Sequence, residues 1–445
     1  MGRLFGTDGI RGVANHYPMT PQNGFKLGRA IVRFTGKAKP EVIVGRDTRL
    51  SGPMLEYALG AGLMGEGANL WAAGIIPTPG VAYLTRELGA DVGVVISASH
   101  NPFDHNGFKV FSPHATKLTE DEELELEDIM FSLDEDTSGQ DVGRFKEIQN
   151  ATERYVEFLR GRFEELKELK GLKVVLDCAN GATYKAAPML FGQLGTTVIS
   201  IGTEPNGANI NEGCGSQCPE ELAAKVVESQ ASVGLAFDGD GDRLVAVDEK
   251  GCVLTGDQLL AIFAKVLKEK GKLHKNVVVS TVMSNIGLKV ALQRMGLNHV
   301  VTSVGDRNVY QEMIRRGAVL GGEESGHIIF LQHHSTGDGM LSALQLVAAM
   351  EYLDRPLSEL AQLMEVFPQV LLNVSVTRKP LLSEIPEVSE VIKKVENELG
   401  RNGRVLVRYS GTESVCRVMV EGDEEDKIKN YAEEIAAAIV KSIGE

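Results

Sequence analysis

Asp238, Asp240 and Asp242 alternate with glycine in Asp238-Gly239-Asp240-Gly241-Asp242-Arg243. Glycine lets the backbone curl, so all three carboxylates can face one point. Three hard oxygen donors suit Mg²⁺ or Ca²⁺, not zinc. An EF-hand loop is the first rival, with Glu249 at its twelfth position. It needs a glycine where Arg243 stands and helices on both sides, whereas Val233 to Phe237 and Leu244 to Val247 read as strands. An aspartyl-phosphate phosphatase loop, with Asp238 as nucleophile, is the second rival, but it lacks partner motifs. A plain solvated turn would leave three carboxylates repelling one another unless a cation or nearby arginines compensate.

Four further groups carry chemistry. Ser99 follows the apolar strand Val92 to Ile96 in Ser97-Ala98-Ser99-His100-Asn101-Pro102, so its hydroxyl is expected to stand exposed at the sheet edge. A phosphorylated Ser99 would offer an oxygen to a cation on the aspartates. On an extended chain His100 would point away from Ser99. Lys109 and Arg11 are candidate cations for a reacting phosphoryl group. Glu323, Ser325 and His327 alternate, and an extended segment would put them on one face, where Glu and Ser can hold sugar hydroxyls. Arg408, Ser410, Gly411, Thr412 and Arg417 supply guanidinium, hydroxyl and backbone N–H donors for a phosphate.

The elements that position these loops repeat three times. A first strand ends in a polar loop (Val42 to Val44, Val174 to Leu176, Val277 to Val279). A helical stretch and a second strand follow, around Leu70-Trp71, Thr196 to Ile201 and Val300-Val301. A third strand then closes at Ser99, at Asp238 and at Gly322. Strands alternating with helices predict α/β domains with largely parallel sheets, and ligands bind at the carboxyl ends of such strands. Asp134 to Asp141 reads as a solvated connector, and Glu153 to Leu169 as a long helix. The tail departs from the repeat: strand Val370 to Val376, helix Glu387 to Leu399, strands Val405 to Arg408 and Val415 to Val420, helix Glu425 to Ile443. The expected fold is three similar tandem α/β domains with mixed, largely parallel sheets, over 1–152, 153–254 and 255–366, plus a smaller C-terminal α+β domain over 367–445, around a central cleft.

The 445 residues exceed what one hydrophobic core supports. A net charge of −15 disfavours nucleic acid and anionic lipid surfaces as partners. Five cysteines without a CxxC pair read as reduced thiols, and no apolar run is long enough to span a bilayer, so a cytoplasmic protein is expected.

Taken in order, the four loops resemble those of the α-D-phosphohexomutase superfamily over essentially the whole chain. Phe5-Gly6-Thr7-Asp8-Gly9-Ile10-Arg11-Gly12 and Val304-Gly305-Asp306-Arg307 are similar to its bacterial branch acting on glucosamine phosphate. The resemblance implies conversion of glucosamine 6-phosphate to glucosamine 1-phosphate, on the route to UDP-N-acetylglucosamine. It implies Ser99 as phosphoryl carrier and a sugar bisphosphate as intermediate and activator. It also implies one Mg²⁺ per chain on Asp238, Asp240, Asp242 and a phosphoserine oxygen, with Arg243 on the phosphoserine. Lys109, Arg11, His100 and His327 are candidates for proton transfer. The expected partner is a small hexose phosphate, with the chain a monomer or homodimer. The chain departs from the pattern at Glu324, Tyr409, Gln217-Cys218 and Ser414-Val415-Cys416, where the family has Gln, Lys, Thr-His and a Pro-apolar-Ile run. Glucose and mannose phosphates are the alternative substrates. A non-catalytic Ca²⁺- or sugar-phosphate-binding module is the reading from another class, and the full set of four loops argues against it.

Overall fold

The apolar runs are strands buried on both faces, as parallel sheets require: Val42, Ile43, Val44, Val94 and Ile96 are fully buried. The computed structural model describes residues 4–6, 8–134, 141–163, 169–400, 403–410 and 414–444. By internal contacts the chain divides into two compact units, Met1–Met283 with Gly296–Leu363, and Ser284–Met295 with Met364–Glu445.

The first unit carries three sheets of one topology. In the seven-stranded sheet, Val92–Ile96, Glu41–Arg46 and Asn69–Ile75 run parallel in that spatial order, and His105–Phe111 returns antiparallel beside Val92–Ile96. The second sheet repeats this with Val233–Phe237, Lys173–Asp177, Thr197–Ile201 and the returning Leu244–Asp248. The third repeats it with Leu320–Gly322, Val277–Thr281, Asn298–Thr302 and the returning Ile328–Phe330. The threefold repeat of α/β units is thus borne out. Ser99, the aspartates and the Glu323 turn all lie where a closing parallel strand reverses into its antiparallel neighbour. Such a reversal puts short loops at the carboxyl ends of strands.

Two expectations need correction here. The helix read over Glu153 to Leu169 is described over Ala151–Gly161, with Arg162 as its C-cap, and residues 164–168 of that reading lie outside the described residues. Glu323 to His327 is not extended but a tight turn in which Gly326 N–H donates to Glu323 O, with Gly326 at φ +87°. The pairing of Gly322 with Ile328 forces that reversal.

In the second unit, Gln369–Ser375, Val415–Glu421 and Arg404–Tyr409 form an antiparallel sheet with Val415–Glu421 central. Pro386–Leu399 and Glu425–Ile443 pack on it through Val388, Val418, Ile428, Ile435 and Ile439. The strand and helix order expected for the tail is found. Buried Glu421 ties residues 284–295 into this unit, accepting from Ile286 N at 3.2 Å and from Arg404 Nε at 2.6 Å. Among the described residues no helix is long and apolar enough to cross a membrane.

Candidate active site

The aspartate loop is a short reversal between Phe237 and Leu244. Gly241 N–H donates to Asp238 O at 3.0 Å with Gly241 at φ +72°, a conformation that favours glycine. A Cβ on Gly239 would stand 2.5 Å from Ser99 O, so that glycine lets two loops touch. Asp238, Asp240 and Asp242 are all buried, and one oxygen from each lies within 4.8 Å of the others. Asp240 Oδ1 and Asp242 Oδ1 are buried acceptors without a hydrogen-bond partner. Three converging carboxylates with orphaned oxygens fit a hard divalent cation such as Mg²⁺.

Lys109 Nζ, itself buried, lies 2.7 Å from Asp240 Oδ2 and 3.2 Å from Asp242 Oδ2. Burial opposes its charge, but these carboxylates and Asp8 win and raise its pKa well above the ordinary lysine value. Asp242 is held well below the usual carboxylate range: burial works the other way, and Lys109 overrides it. Burial, reinforced by Asp242 and Asp240, pushes Asp238 well above that range.

Ser99 is buried rather than exposed, and its Oγ donates to Asp238 Oδ2 at 2.5 Å. It adopts φ +53°, so the chain is not extended, and His100 turns back until its Nδ1 is 3.4 Å from Ser99 Oγ. Burial, with Arg243 and Arg11 nearby, lowers the His100 pKa to about 4, so this ring is neutral at pH 7. The unusual backbone is held by Arg49, which the sequence did not single out. Its buried guanidinium donates to Ser99 O at 2.9 Å, Asn101 O at 2.8 Å and His105 O at 3.0 Å, and Asp47 Oδ2 anchors its Nε at 2.8 Å. Asn211 Nδ2 adds a donor to Ser99 O at 2.9 Å. An arginine two residues after an aspartate at a strand end was the available signal.

Arg11 bonds Asp8, and Arg243 Nε lies 3.9 Å from Asp242 Oδ1. His327 belongs with the aspartates more than with a sugar face. Its Nε2 accepts Gly337 N–H at 3.1 Å, which assigns the proton to Nδ1, 3.6 Å from Asp242 Oδ1. Glu323 Oε1 accepts Gly305 N–H at 3.0 Å, and Ser325 Oγ is buried without a partner. Thus the first unit brings Ser99, His100, Lys109, Arg11, Arg243, His327 and the three aspartates together.

In the second unit Arg408 and Arg417 are direct cross-strand partners, so their side chains share a face. Two cations so placed suit an anion. Ser410 N–H bonds Val415 O, and Lys379 Nζ, which the sequence did not single out, donates to Ser410 O at 2.7 Å. Gly411 and Thr412 lie outside the described residues.

Three α/β units of one topology, each ending in a chemical loop, define a phosphohexomutase-type enzyme of the isomerase class. The chain belongs to the phosphoglucomutase/phosphomannomutase family: it matches alpha/beta/alpha domain I at residues 2–137, domain II at 153–251, domain III at 255–367 and the C-terminal domain at 371–438. Over 450 residues and the full length of both chains it is 53% identical to the phosphoglucosamine mutase of Syntrophus aciditrophicus (strain SB). It is 50% identical to that of Syntrophobacter fumaroxidans over 449 residues, again covering both chains completely. In fold it is similar to a phosphoglucomutase/phosphomannomutase family protein from Burkholderia thailandensis, with a TM-score of 0.81, 23% identity, and coverage of 98% of this chain and 97% of that one. It also resembles an Aspergillus fumigatus N-acetylphosphoglucosamine mutase solved with GlcNAc-6P and magnesium, with a TM-score of 0.69, 17% identity, and coverage of 98% and 95%.

Proposed function

We propose that this enzyme interconverts glucosamine 6-phosphate and glucosamine 1-phosphate, with Ser99 as the phosphoryl carrier. The observation that carries this reading is the Ser99 hydroxyl bonded into the buried aspartate cluster, in a chain half identical to phosphoglucosamine mutases from end to end.

A free hydroxyl of the sugar phosphate attacks the phosphorus carried on Ser99. The sugar O–P bond forms as the Oγ–P bond breaks, and the hydroxyl proton passes to a basic group of the cluster. The bisphosphate turns round, its other phosphoryl returns to Ser99 by the reverse step, and the isomeric monophosphate leaves. Asp238, Asp240 and Asp242 are the residues that would hold Mg²⁺, which when bound neutralises phosphoryl charge and orients its oxygens. Lys109 brings a second fixed positive charge to the same carboxylates, and Arg49 keeps Ser99 in its left-handed conformation. We assign Glu323 and Ser325 to the sugar hydroxyls, and Arg408, Ser410, Gly411, Thr412 and Arg417 to a substrate phosphate.

Intact-mass analysis of fresh protein tests the carrier. An adduct of about 80 Da should map to Ser99 and increase on incubation with a sugar bisphosphate. An adduct on Asp238, or none under either condition, sinks the phosphoserine mechanism.

A further inference from the structure

Behind the aspartate cluster, acid and base alternate around a closed ring of six side chains. Lys109 Nζ spans Asp242 Oδ2 at 3.2 Å and Asp8 Oδ2 at 3.3 Å. Lys117 Nζ bonds Asp8 Oδ1 on one side and Asp306 Oδ2, at 2.5 Å, on the other. His327 completes the ring by position rather than by charge: its Nδ1 lies 3.6 Å from Asp242 Oδ1, and its Nε2, the acceptor of Gly337 N–H, lies 3.6 Å from Asp306 Oδ2. The side chain of Lys109 is 1% exposed, that of Lys117 11%, that of Asp306 13% and that of Asp8 24%, so solvent screens the lysines and Asp306 little and Asp8 partly.

Lys109 sits on the Oδ2 atoms of Asp240 and Asp242, whose free Oδ1 atoms suit a divalent cation, so its positive charge opposes a cation's at the same two carboxylates. How firmly Lys109 holds them depends on how much of Asp8 is left for it. Asp8 divides its charge among Lys109, Lys117 and Arg11, and Lys117 divides its own between Asp8 and Asp306. We infer that Lys117 and Asp306 are positioning residues that tune divalent-cation affinity at Asp238, Asp240 and Asp242 by setting the hold of Asp8 on Lys109. The inference rests on the metal site proposed above.

The argument fixes the sign of two substitutions. Without the Lys117 charge, Asp8 turns to Lys109 and draws it off the aspartate pair, while one positive charge leaves the neighbourhood. Both effects tighten cation binding. Without the Asp306 charge, Lys117 turns wholly to Asp8, and Lys109 settles back on Asp240 and Asp242 while a negative charge is lost. Both effects weaken it. A merely structural role for the ring would loosen the site, and weaken binding, in either variant.

Mg²⁺ and Mn²⁺ binding to the full-length unphosphorylated protein, by calorimetry and by Mn²⁺ electron paramagnetic resonance, reads this directly. Lys117→Met should bind about threefold to tenfold more tightly, and Asp306→Asn weaker by a similar factor, as one charge at this range and screening implies. Lys117→Arg should restore the wild-type affinity. Shifts of the same sign in Lys117→Met and Asp306→Asn, or none, overturn the inference, provided both melt cooperatively. If Lys117→Met does not fold, an unchanged or tighter Kd in Asp306→Asn overturns it alone. A wild type that binds neither ion overturns the metal site itself, and the inference with it.

Discussion

The Ser99 hydroxyl donates to Asp238 Oδ2 at 2.5 Å, a link between residues 139 apart in sequence. It joins the strand-end loop of the first sheet to that of the second. Ser99→Ala should abolish turnover and the mass adduct. Because the hydroxyl is buried and bonded, its loss should also cost about 1 kcal/mol of stability. A thermal melt should stay cooperative with a slightly lower midpoint. Retained turnover would assign the phosphoryl group elsewhere.

The Asp240 carboxylate serves two donors through one oxygen and leaves the other free. Its Oδ2 accepts from Thr78 Oγ1 at 2.5 Å and Lys109 Nζ at 2.7 Å, while Oδ1 stays unpartnered. Asp240→Asn keeps the shape and removes the charge. Half-maximal Mg²⁺ for activity should rise by about tenfold or more, as for the loss of a charged ligand. An unmoved Mg²⁺ dependence would show that the metal is not held here.

Gly239 sets the distance between the two loops. A Cβ there would meet Ser99 O at 2.5 Å, and Asn211 Nδ2 and Ile210 Cδ1 at 2.8 Å, so backbone must move. Gly239→Ala should cost about 1–3 kcal/mol, the usual price of overpacking. It should also lower kcat at least about tenfold by displacing Ser99 from the aspartates. Wild-type kcat in a well-folded variant would refute the close-approach argument.

His334 makes acid stability measurable apart from the active site. Its Nε2 lies 2.9 Å from Pro79 O and its Nδ1 accepts Ser335 N–H at 3.0 Å, an arrangement that suits only the neutral ring. Burial lowers its pKa to about 4, against an ordinary 6.5. The folded state therefore binds fewer protons than the unfolded one between those values. The contribution is complete above pH 6.5 and is lost as pH falls through 4, about 3 kcal/mol in all. Denaturant titrations from pH 7 to pH 4 should show a shallower acid loss for His334→Gln than for wild type. Parallel curves would remove His334 from the acid sensitivity.

The sugar can be decided by kinetics. The turn at Glu323-Glu324-Ser325 carries two carboxylates and no lysine. A charge-assisted hydrogen bond to a substrate ammonium is worth about 1.5–3 kcal/mol. The kcat/KM for glucosamine 6-phosphate should then exceed those for glucose and mannose 6-phosphates by about tenfold to a hundredfold. Equal values, or a preference for mannose, would keep the mutase chemistry and reject glucosamine as the substrate.

Much of this protein was determined locally and could be read from residue order. Apolar runs such as Val92 to Ile96 are too short for a helix and end in polar loops, so they read as strands buried on both faces. Asp-Gly-Asp-Gly-Asp gathers its carboxylates within five residues, and Gly241 needs the left-handed conformation that the sequence permits there. The tail announced itself by its change of strand and helix order. What the tertiary structure alone decided involves partners far apart along the chain. Arg49 clamps the Ser99 loop across about fifty residues, and Lys117 reaches Asp306 across 189. No spacing rule connects such pairs, since sheet packing brings them together. The same holds for Ser99, read as an exposed hydroxyl and found buried, and for the Glu323 turn, read as extended and found reversed. A side chain's exposure and a loop's direction are set by the elements packed against them, and those elements lie elsewhere in the sequence.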